Sequence, residues 1–421
     1  MISSPAHVAT WCIAACAILG VIVRPGKLPE ALWPALAALA LVAFSLISLS
    51  DAGKAVLKGT DVYLFLTGMM LLAELARHEG LFDWLAANAV RRAQGSPTRL
   101  FGLVYLVGTL VTIFLSNDAT AAVLTPAVYA AAKQANAKPL PYLFICAMIA
   151  NAASFVLPIS NPANLVVYGA HMPRLATWLA EFGLASIVSI AVTFIVLRFT
   201  QRRGLTGEIS RDIQVPTLSR GGRVAASGIG VTAIALLIAS SLDWQLGLPT
   251  FLAAATTAMA IMILNRLSLW TIAKDISWSV LPLVAGLFVL VEAVEGTGVL
   301  RPLILSLTSS APAAPNATAL ATGSMVAALC NLFNNLPLGL IAGTVASGAQ
   351  LSPHITGALL IGVDLGPNLS VTGSLATILW LVALRREGQT VSAWKFLRLG
   401  CLVMPPALIA SLVIFIWLQI H

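Results

Sequence analysis

Long apolar stretches constrain this chain more than any other feature. A helix that crosses a bilayer needs about 20 consecutive, mostly apolar residues. With 59% hydrophobic and only 10% charged residues, the composition predicts an all-α polytopic membrane protein rather than a soluble domain. Ten apolar stretches are predicted to span, at 8-23, 31-50, 61-77, 138-170, 174-199, 224-241, 247-266, 278-295, 352-387 and 398-420.

Four of the apolar segments are interrupted by polar residues. The stretches 138-170 and 352-387 are too long for one pass and contain "PISNPAN" and "DLGPNLSVTGS", so each is predicted to be a broken helix. Two further segments, 98-133 and 314-349, are split by "SND" and "NLFNNLP" and are predicted to be re-entrant hairpins made of two half-helices. Non-helical backbone at membrane depth is tolerated only where it is buried in protein or lines a watery cavity. The four breaks therefore predict one shared polar site.

The basic residues predict the topology, because Lys and Arg accumulate in cytoplasmic loops. With ten passes and two hairpins that return to their own side, all of the 24 basic residues except Lys54, Lys58, Arg174 and Arg301 fall on one face. Both termini are then outside the cell. The net charge of +8 is explained by a cytoplasmic rim over anionic membrane lipid, so no nucleic-acid partner is needed.

The two halves of the chain repeat one another. The matched positions are Glu74 and Glu292, Asn117 and Asn334, Asn151 and Asp364, Asn161 and Ser374, and Asn164 and Thr377. We expect a first repeat at 1-199, a cytoplasmic linker at 200-223 and a second repeat at 224-421. Five passes per repeat is an odd number, so the second repeat is inverted, as in secondary transporters with discontinuous helices at the midplane.

Uncharged polar residues at the breaks are predicted to bind the transported solute. They are Ser116, Asn117, Asn161, Asn164, Asn334, Asn335, Thr372, Ser374 and Thr377. Asp118 and Asp364 are predicted to couple transport to protons, because a carboxylate costs at least about 2.5 kcal/mol at a helix centre in a membrane. The alternative for both is purely structural, since Ser, Asn and Asp also cap helices. Glu74 and Glu292 lie near helix ends, where we expect a structural or interfacial role.

Other chemistries find no support in the sequence. Its His, Cys and acidic residues form no recognisable metal site, and it has no glycine loop for phosphates. We therefore expect no enzyme activity, no bound metal and no cofactor. The five cysteines are scattered through apolar segments, which indicates helix packing and not disulfides.

Four passages resemble the bacterial arsenite and antimonite permeases of the ion transporter superfamily. They are "GVDLGPNLSVTGSLATILW" (362-380), "SNDATAAVLTP" (116-126), "SNPAN" (160-164) and "FNNLP" (333-337). The resemblance implies export of trivalent arsenic or antimony hydroxide across the inner (plasma) membrane in exchange for protons. It also implies that a soluble ATPase can dock on the cytoplasmic face of some members, and that a homodimer is compatible with the superfamily. Asn151 departs from the pattern, because several permeases have an acid there.

These expectations form one hypothesis with two rivals. A small uncharged trihydroxide suits amide and hydroxyl groups, and desolvation lets a carboxylic acid alternate between its protonated and ionised forms near neutral pH. We therefore expect protonation of Asp118 or Asp364 to compete with solute binding during alternating access. The nearer rival is a sodium-coupled carboxylate transporter or a sodium/proton transporter of the same superfamily. The more distant rival is a membrane receptor or scaffold without transport activity.

Overall fold

The structure, a computed structural model, describes residues 4–23, 25–169, 172–211, 213–266 and 268–419, and every regular element in them is helical. The first half contains α1 (Pro5–Val23), α2 (Leu32–Ala43), α3 (Leu49–Lys58), α4 (Thr60–His78), α5 (Leu81–Ala93), α6 (Pro97–Phe114), α7 (Asn117–Ala119), α8 (Thr125–Gln134), α9 (Leu140–Ala152), α10 (Pro162–Tyr168) and α11 (Leu175–Gln201). The second half contains α12 (Arg220–Ser241), α13 (Gly247–Asn265), α14 (Leu269–Ala273), α15 (Val280–Gly296), α16 (Arg301–Ala313), α17 (Pro315–Phe333), α18 (Asn335–Gly348), α19 (Pro353–Leu365), α20 (Leu375–Arg386) and α21 (Ala393–Leu418).

Each of the ten predicted passes contains at least one helix, but the helices differ in length. In the described part of the chain, six helices are long and apolar enough to cross a membrane, or up to eight if the bent pairs α3–α4 and α15–α16 each count as one span. The pairs bend by 47° and 80°. Helices α1, α2 and α9 are apolar but shorter. The fold is that of a polytopic membrane protein. The sidedness of Met1 and His421 stays a prediction, and both residues lie outside the described ranges.

The second predicted pass, 31-50, is wrong in its extent. Helix α2 ends at Ala43, and Ser45 has a positive φ of 55°. Ser48 then accepts a hydrogen bond from the backbone N–H of Asp51 and starts α3. A side-chain cap followed by an acidic first turn is a helix start signal, so the chain turns where its hydropathy alone predicted continuation.

Both predicted hairpins form as helix pairs that meet at the polar tips. The first has α6 as its outgoing arm, and α7, a π-helical turn over Thr120–Leu124 and α8 as its return. The second has α17 and α18. The outgoing arms are longer than the predicted half-helices, because α6 has 18 residues and α17 has 19. Each is long enough to cross a bilayer, so the re-entrant path stays a prediction.

The two halves pack reciprocally. Helix α2 packs against α15 and α13 packs against α4, while α11 and α21, the last helix of each half, pack against one another. The broken helices behave alike, since α10 contacts the return arm α18 and α20 contacts the return arm of the first hairpin. The helices that surround the breaks, α9 and α19, are buried along nearly their whole length. Corresponding helices of the two halves thus pack against each other's partners, as expected for two related halves. The inversion of one half relative to the other across a membrane stays a prediction.

Candidate functional site

The two broken helices meet at their breaks deep inside the protein. The Asn161 amide of the first half donates a hydrogen bond to the Asp364 carboxylate of the second. In the opposite direction, the Ser374 hydroxyl donates to the side-chain oxygen of Asn151 over 3.3 Å. Asn161 and Ser374 are matched positions in the two halves, and so are Asn151 and Asp364. One bond thus repeats the other in reverse, and we call this junction the crossing.

Local sequence explains how the side chains at the crossing are placed. Asn161 precedes Pro162, which starts α10, and its side-chain oxygen accepts the backbone N–H of Ala163 over 3.0 Å. Ser374 starts α20 and accepts the N–H of Thr377 over 3.1 Å. The capping role that was the structural alternative is therefore real for both residues. Each cap also bonds across to the other half, which capping alone does not require.

Asp364 is completely buried and only partly satisfied. One carboxylate oxygen accepts from Asn161, whereas the other, Oδ2, has no hydrogen-bond partner among the described residues. The Ser154 hydroxyl lies nearby, and the Cys330 thiol bonds the carbonyls of α19 just before the acid, at 3.9 and 3.7 Å. A buried carboxylate oxygen without a partner is costly. This oxygen is therefore an acceptor at the crossing that is available to a proton or a ligand.

Asparagines hold the rest of the crossing together. Asn151 donates to Asn368 over 3.0 Å, and Asn368 donates to the carbonyl of Met148 over 3.0 Å. Asn164 donates to the carbonyl of Ser154 over 2.9 Å, but its own side-chain oxygen, Oδ1, has no partner in the described part of the chain. The crossing thus offers two unpaired acceptors, on Asp364 and Asn164, within a network of neutral groups.

Each hairpin is bonded, at or just before its tip, to the break of its own half. In the first half, the Ser160 hydroxyl donates to the carbonyl of Ile113 over 3.0 Å. In the second, the side chain of Asn334 donates to the carbonyl of Thr372 over 3.2 Å, and the backbone of Asn335 donates to Gly373 over 2.8 Å. The structure records no bond between the two tips within the described ranges. The side-chain bonds that join the breaks of the two halves are made by the broken helices.

The predicted residues of the first tip have separate roles. Ser116 caps the turn by accepting from the backbone of Ala119 over 3.2 Å, and Asn117 accepts from the backbone of Asp118 over 2.9 Å. Asp118 is half-buried and lines a small cavity of about 80 Å³ together with Glu74 and Asp275. This inner cavity lies on the face that is predicted to be cytoplasmic. It extends to Pro162, next to Asn161, so Asp118 stands beside the approach to the crossing and does not share a bond with Asp364.

A larger cavity of about 810 Å³ lies on the opposite face. It is lined by the return arm α18, by α10 and by α15. Each of these elements has its counterpart around the inner cavity. The return arm of the first hairpin corresponds to α18, α20 corresponds to α10, and α4 corresponds to α15. The inner cavity reaches the first break at Pro162, and the larger one, which we call the outer cavity, begins at Leu165, one residue after Asn164. The outer cavity is about ten times larger.

The charges around both cavities are mainly acidic. In the outer cavity Lys58 is bonded to Glu292 over 2.6 Å, which leaves Asp61 and Glu295. Around the inner cavity Arg77 bonds both Glu74 and Asp275, so three carboxylates including Asp118 face one cation. No described residue lining either cavity is a free Lys or Arg. In the described chain, no three His, Cys, Asp or Glu side chains are grouped as metal ligands.

Sequence reasoning missed several polar residues of the site. Asn368 and Ser154 belong to the crossing, and Asn331 bonds the second break through the carbonyl of Gly366 over 3.0 Å and the Ser370 hydroxyl over 2.7 Å. Asn368 lies inside the quoted break "DLGPNLSVTGS", and Asn331 begins the quoted tip "NLFNNLP". The signal was therefore present, but neither residue has a polar counterpart in the other half.

Two similar halves, broken helices that meet in a buried polar crossing, and one cavity toward each face define a membrane transporter. A family model described as citrate transporter matches residues 13–363. The chain therefore belongs to this citrate transporter (CitMHS) family, which lies within the ion transporter superfamily.

Individual relatives support the same class. An uncharacterised transporter of Mycobacterium bovis is 28% identical over 373 residues, 85% of this chain and 86% of its own length. The arsenical pump membrane protein of Escherichia coli K12 is 26% identical over 359 residues, 82% and 83% of the two chains. The crystal structure of the YdaH transporter of Alcanivorax borkumensis, described as having an unusual topology, matches with a TM-score of 0.57 at 15% identity and covers 93% of this chain and 98% of its own. That likeness concerns the fold alone.

Proposed function

We propose that this transporter exports trivalent arsenic and antimony, as their uncharged hydroxides, in exchange for protons. The observation that carries the proposal is the charge of the path. The crossing is built from amides, hydroxyls and one carboxylic acid, and both cavities that lead to it are acidic. A polyanion such as citrate would be repelled by carboxylates without compensating cations, whereas a neutral hydroxide would not. The similarity to arsenical pump membrane proteins agrees with this choice.

The geometry suggests how a proton and the solute compete. The unpaired oxygen of Asp364 can accept either a proton or a hydroxyl group of the solute. The Asn161 amide holds the other oxygen in place in both cases. The unpaired side-chain oxygen of Asn164 supplies a second acceptor for the solute. Binding of one ligand then excludes the other, which is the requirement for obligatory exchange when the crossing opens alternately to each cavity.

The matched acid is absent from the first half, where Asn151 stands opposite Ser374. Asp364 is then the proton carrier at the crossing, and Asp118 is a separate acid at the inner approach. Loss of Asp364 removes the exchange itself, whereas loss of Asp118 changes how protons or solute reach the crossing. We therefore expect Asp364→Asn to abolish proton-driven transport and Asp118→Asn to lower its rate.

The test is uptake of arsenite into everted membrane vesicles that contain this protein, with and without an imposed proton gradient and without sodium. Gradient-dependent accumulation supports the proposal. Asp243→Asn is the matched control, because Asp243 is an exposed acid whose recorded ion pair is with Arg174 and not with any residue of the crossing. Wild-type rates in both the Asp118 and Asp364 variants would show that the two acids are structural.

The family description, citrate transporter, favours one alternative, a transporter of citrate or another carboxylate. In the rival named from the sequence, its coupling ion is sodium. Its anionic substrate would need a cation beside Asp364, and the broken-helix carbonyls would have to hold sodium. The same vesicles decide between the two functions. Sodium-dependent uptake of citrate without arsenite accumulation would replace the proposal.

A further inference from the structure

A groove on the predicted cytoplasmic face combines an apolar floor with a cationic rim. It has a volume of about 410 Å³ and lies where α9, α11 and α21 come together. We call it the basic groove. Its floor is formed by Leu140, Pro141, Phe144, Leu399 and Leu402, and its rim carries Lys138, Lys395 and Arg398.

The three cations of the rim are exposed, and none has an ion-pair partner in the described part of the chain. None of the described residues that line the groove is acidic. Arg398 stacks on the ring of Trp394 with 5.3 Å between the guanidinium carbon and the ring centroid. Such a contact favours an orientation of the guanidinium over the ring and leaves its N–H groups available to an anion.

Helix α21 indicates where the groove lies relative to the membrane surface. This helix has 26 residues and is apolar enough to cross the membrane, and Lys395 and Arg398 lie in its first two turns. Trp394, one turn before Arg398, is 62% exposed, as expected for a side chain at the boundary between lipid and water. Leu402, one turn further in, is 57% exposed, so the apolar floor continues toward the hydrocarbon region.

The side of the groove next to α11 is formed by a close contact between two turns of the chain. A Cβ atom on Gly204 would lie 2.7 Å from the ring of Pro141, so the turn after α11 rests directly on the start of α9. This contact brings Gln201 to the edge of the groove as its uncharged polar residue. A ligand thus meets three cations and an amide on the water side and an exposed apolar surface on the membrane side.

We propose that the basic groove binds one anionic phospholipid, with its phosphate between Lys138, Lys395 and Arg398 and an acyl chain along Leu399 and Leu402. Basic pockets between membrane helices on the cytoplasmic side suit anionic headgroups. The apolar floor selects a lipid over a soluble phosphate, which would leave that floor exposed. The lipid joins the start of α9, the end of α11 and the start of α21, and therefore stabilises the packing of the two halves where α11 meets α21.

The test is native mass spectrometry of the purified protein with added phosphatidylglycerol, together with its thermal unfolding. The variant combines Lys138→Gln, Lys395→Gln and Arg398→Gln. One cation near an anionic surface contributes about fivefold in affinity, so we expect the triple variant to lose about 100-fold in phosphatidylglycerol binding and to lose the rise in Tm that the lipid produces.

The matched control combines Arg92→Gln, Arg385→Gln and Arg386→Gln. It removes the same charge from exposed residues on the same predicted face that do not line the groove. We expect it to bind phosphatidylglycerol as the wild type does. Lys395→Gln alone changes one exposed side chain, so we expect the fold to be retained and phosphatidylglycerol affinity to fall about fivefold.

Three results would overturn the proposal. One is equal loss of lipid in the control and the groove variant, which would indicate attraction by net charge only. The second is equal retention of phosphatidylethanolamine and phosphatidylglycerol. The third is stabilisation by soluble glycerol phosphate to the same extent as by the lipid, which would assign the cations to a soluble anion.

Discussion

Asn161 is the residue of the first break that positions Asp364 across the two halves. The Asn161 amide donates to Oδ1 of the Asp364 carboxylate, the Ser154 hydroxyl lies nearby, and Oδ2 has no hydrogen-bond partner among the described residues. Asn161 also caps α10. One side chain therefore links the start of a helix in one half to the acid in the other, and its loss affects both.

We expect Asn161→Ala to lower the proton-driven transport rate at least about tenfold and to destabilise the protein by about 1–3 kcal/mol, because a buried acceptor and a helix start both lose their partner. Initial uptake per amount of protein in the membrane and Tm in detergent measure the two effects. Thr232→Ala is the control, since Thr232 is buried and bonds only within α12. Full transport at a lowered Tm would make Asn161 a structural residue.

Helices α17 and α19 approach one another closely just before Asp364. A Cβ atom on Gly362 would lie 2.2 Å from the carbonyl oxygen of Gly323, and one on Gly323 would lie 2.7 Å from the carbonyl oxygen of Ala358. Small residues are common where membrane helices pack closely. Lipid tails are as apolar as the helices, so close van der Waals packing and not the hydrophobic effect holds the helices together. This contact fixes the position of α19 relative to α17, and therefore the position of Asp364 at the crossing.

Gly362→Ala is therefore expected to push α19 away from α17, to destabilise the protein by about 1–3 kcal/mol through overpacking and to lower transport. The matched control is Gly183→Ala in α11, where a Cβ atom would meet nothing within 4 Å. There alanine should be neutral or stabilising by up to about 1 kcal/mol, since it favours helix. Equal thermal stability of the two variants would contradict the close-packing account.

A hydrogen bond from Trp380 links α20 of the second half to α9 of the first. The indole N–H of Trp380, which is fully buried, donates to the carbonyl of Leu143 over 2.8 Å. We expect Trp380→Phe to lower the free energy of unfolding by about 0.5–1.5 kcal/mol for the lost hydrogen bond, and further for the lost packing volume. The measurement is the drop in Tm. The control is Trp270→Phe, because Trp270 is 74% exposed. A drop of the same size in both variants would contradict a specific role for this bond.

The whole molecule is asymmetric although its halves are related. The cavity on the predicted outer face has about 810 Å³, and its counterpart on the predicted inner face has about 80 Å³. Alternating access requires that these sizes exchange as the crossing moves between the faces. Under the proposed alternating access, the structure would correspond to the state whose larger opening is toward the predicted outer face.

Cysteine labelling tests both the topology and the state. In a background without native cysteines, Thr344→Cys in the outer cavity should react with a membrane-impermeant thiol reagent added to intact cells, and Ala122→Cys in the inner cavity should not. Both positions line their cavities. A proton gradient with arsenite present should slow the first reaction. Labelling of Ala122→Cys from outside would reverse the predicted sidedness.

By itself, the sequence determined the class of fold, the four breaks and most of the polar residues near them, because apolar length and polar interruptions are properties of single segments. It also marked the acids, since Asp118 and Asp364 stand out against an apolar background. It overextended α2, because hydropathy does not show that Ser48 starts a new helix.

Only the tertiary structure decided which breaks meet. It joins Asn161 to Asp364 and Ser374 to Asn151, leaves Asp118 in a separate cavity, and brings Asn331 and Asn368 into the site. Those partners lie in different helices and, for the crossing, in different halves. Hydropathy and spacing describe each segment alone, whereas the pairing of distant side chains depends on how the helices pack.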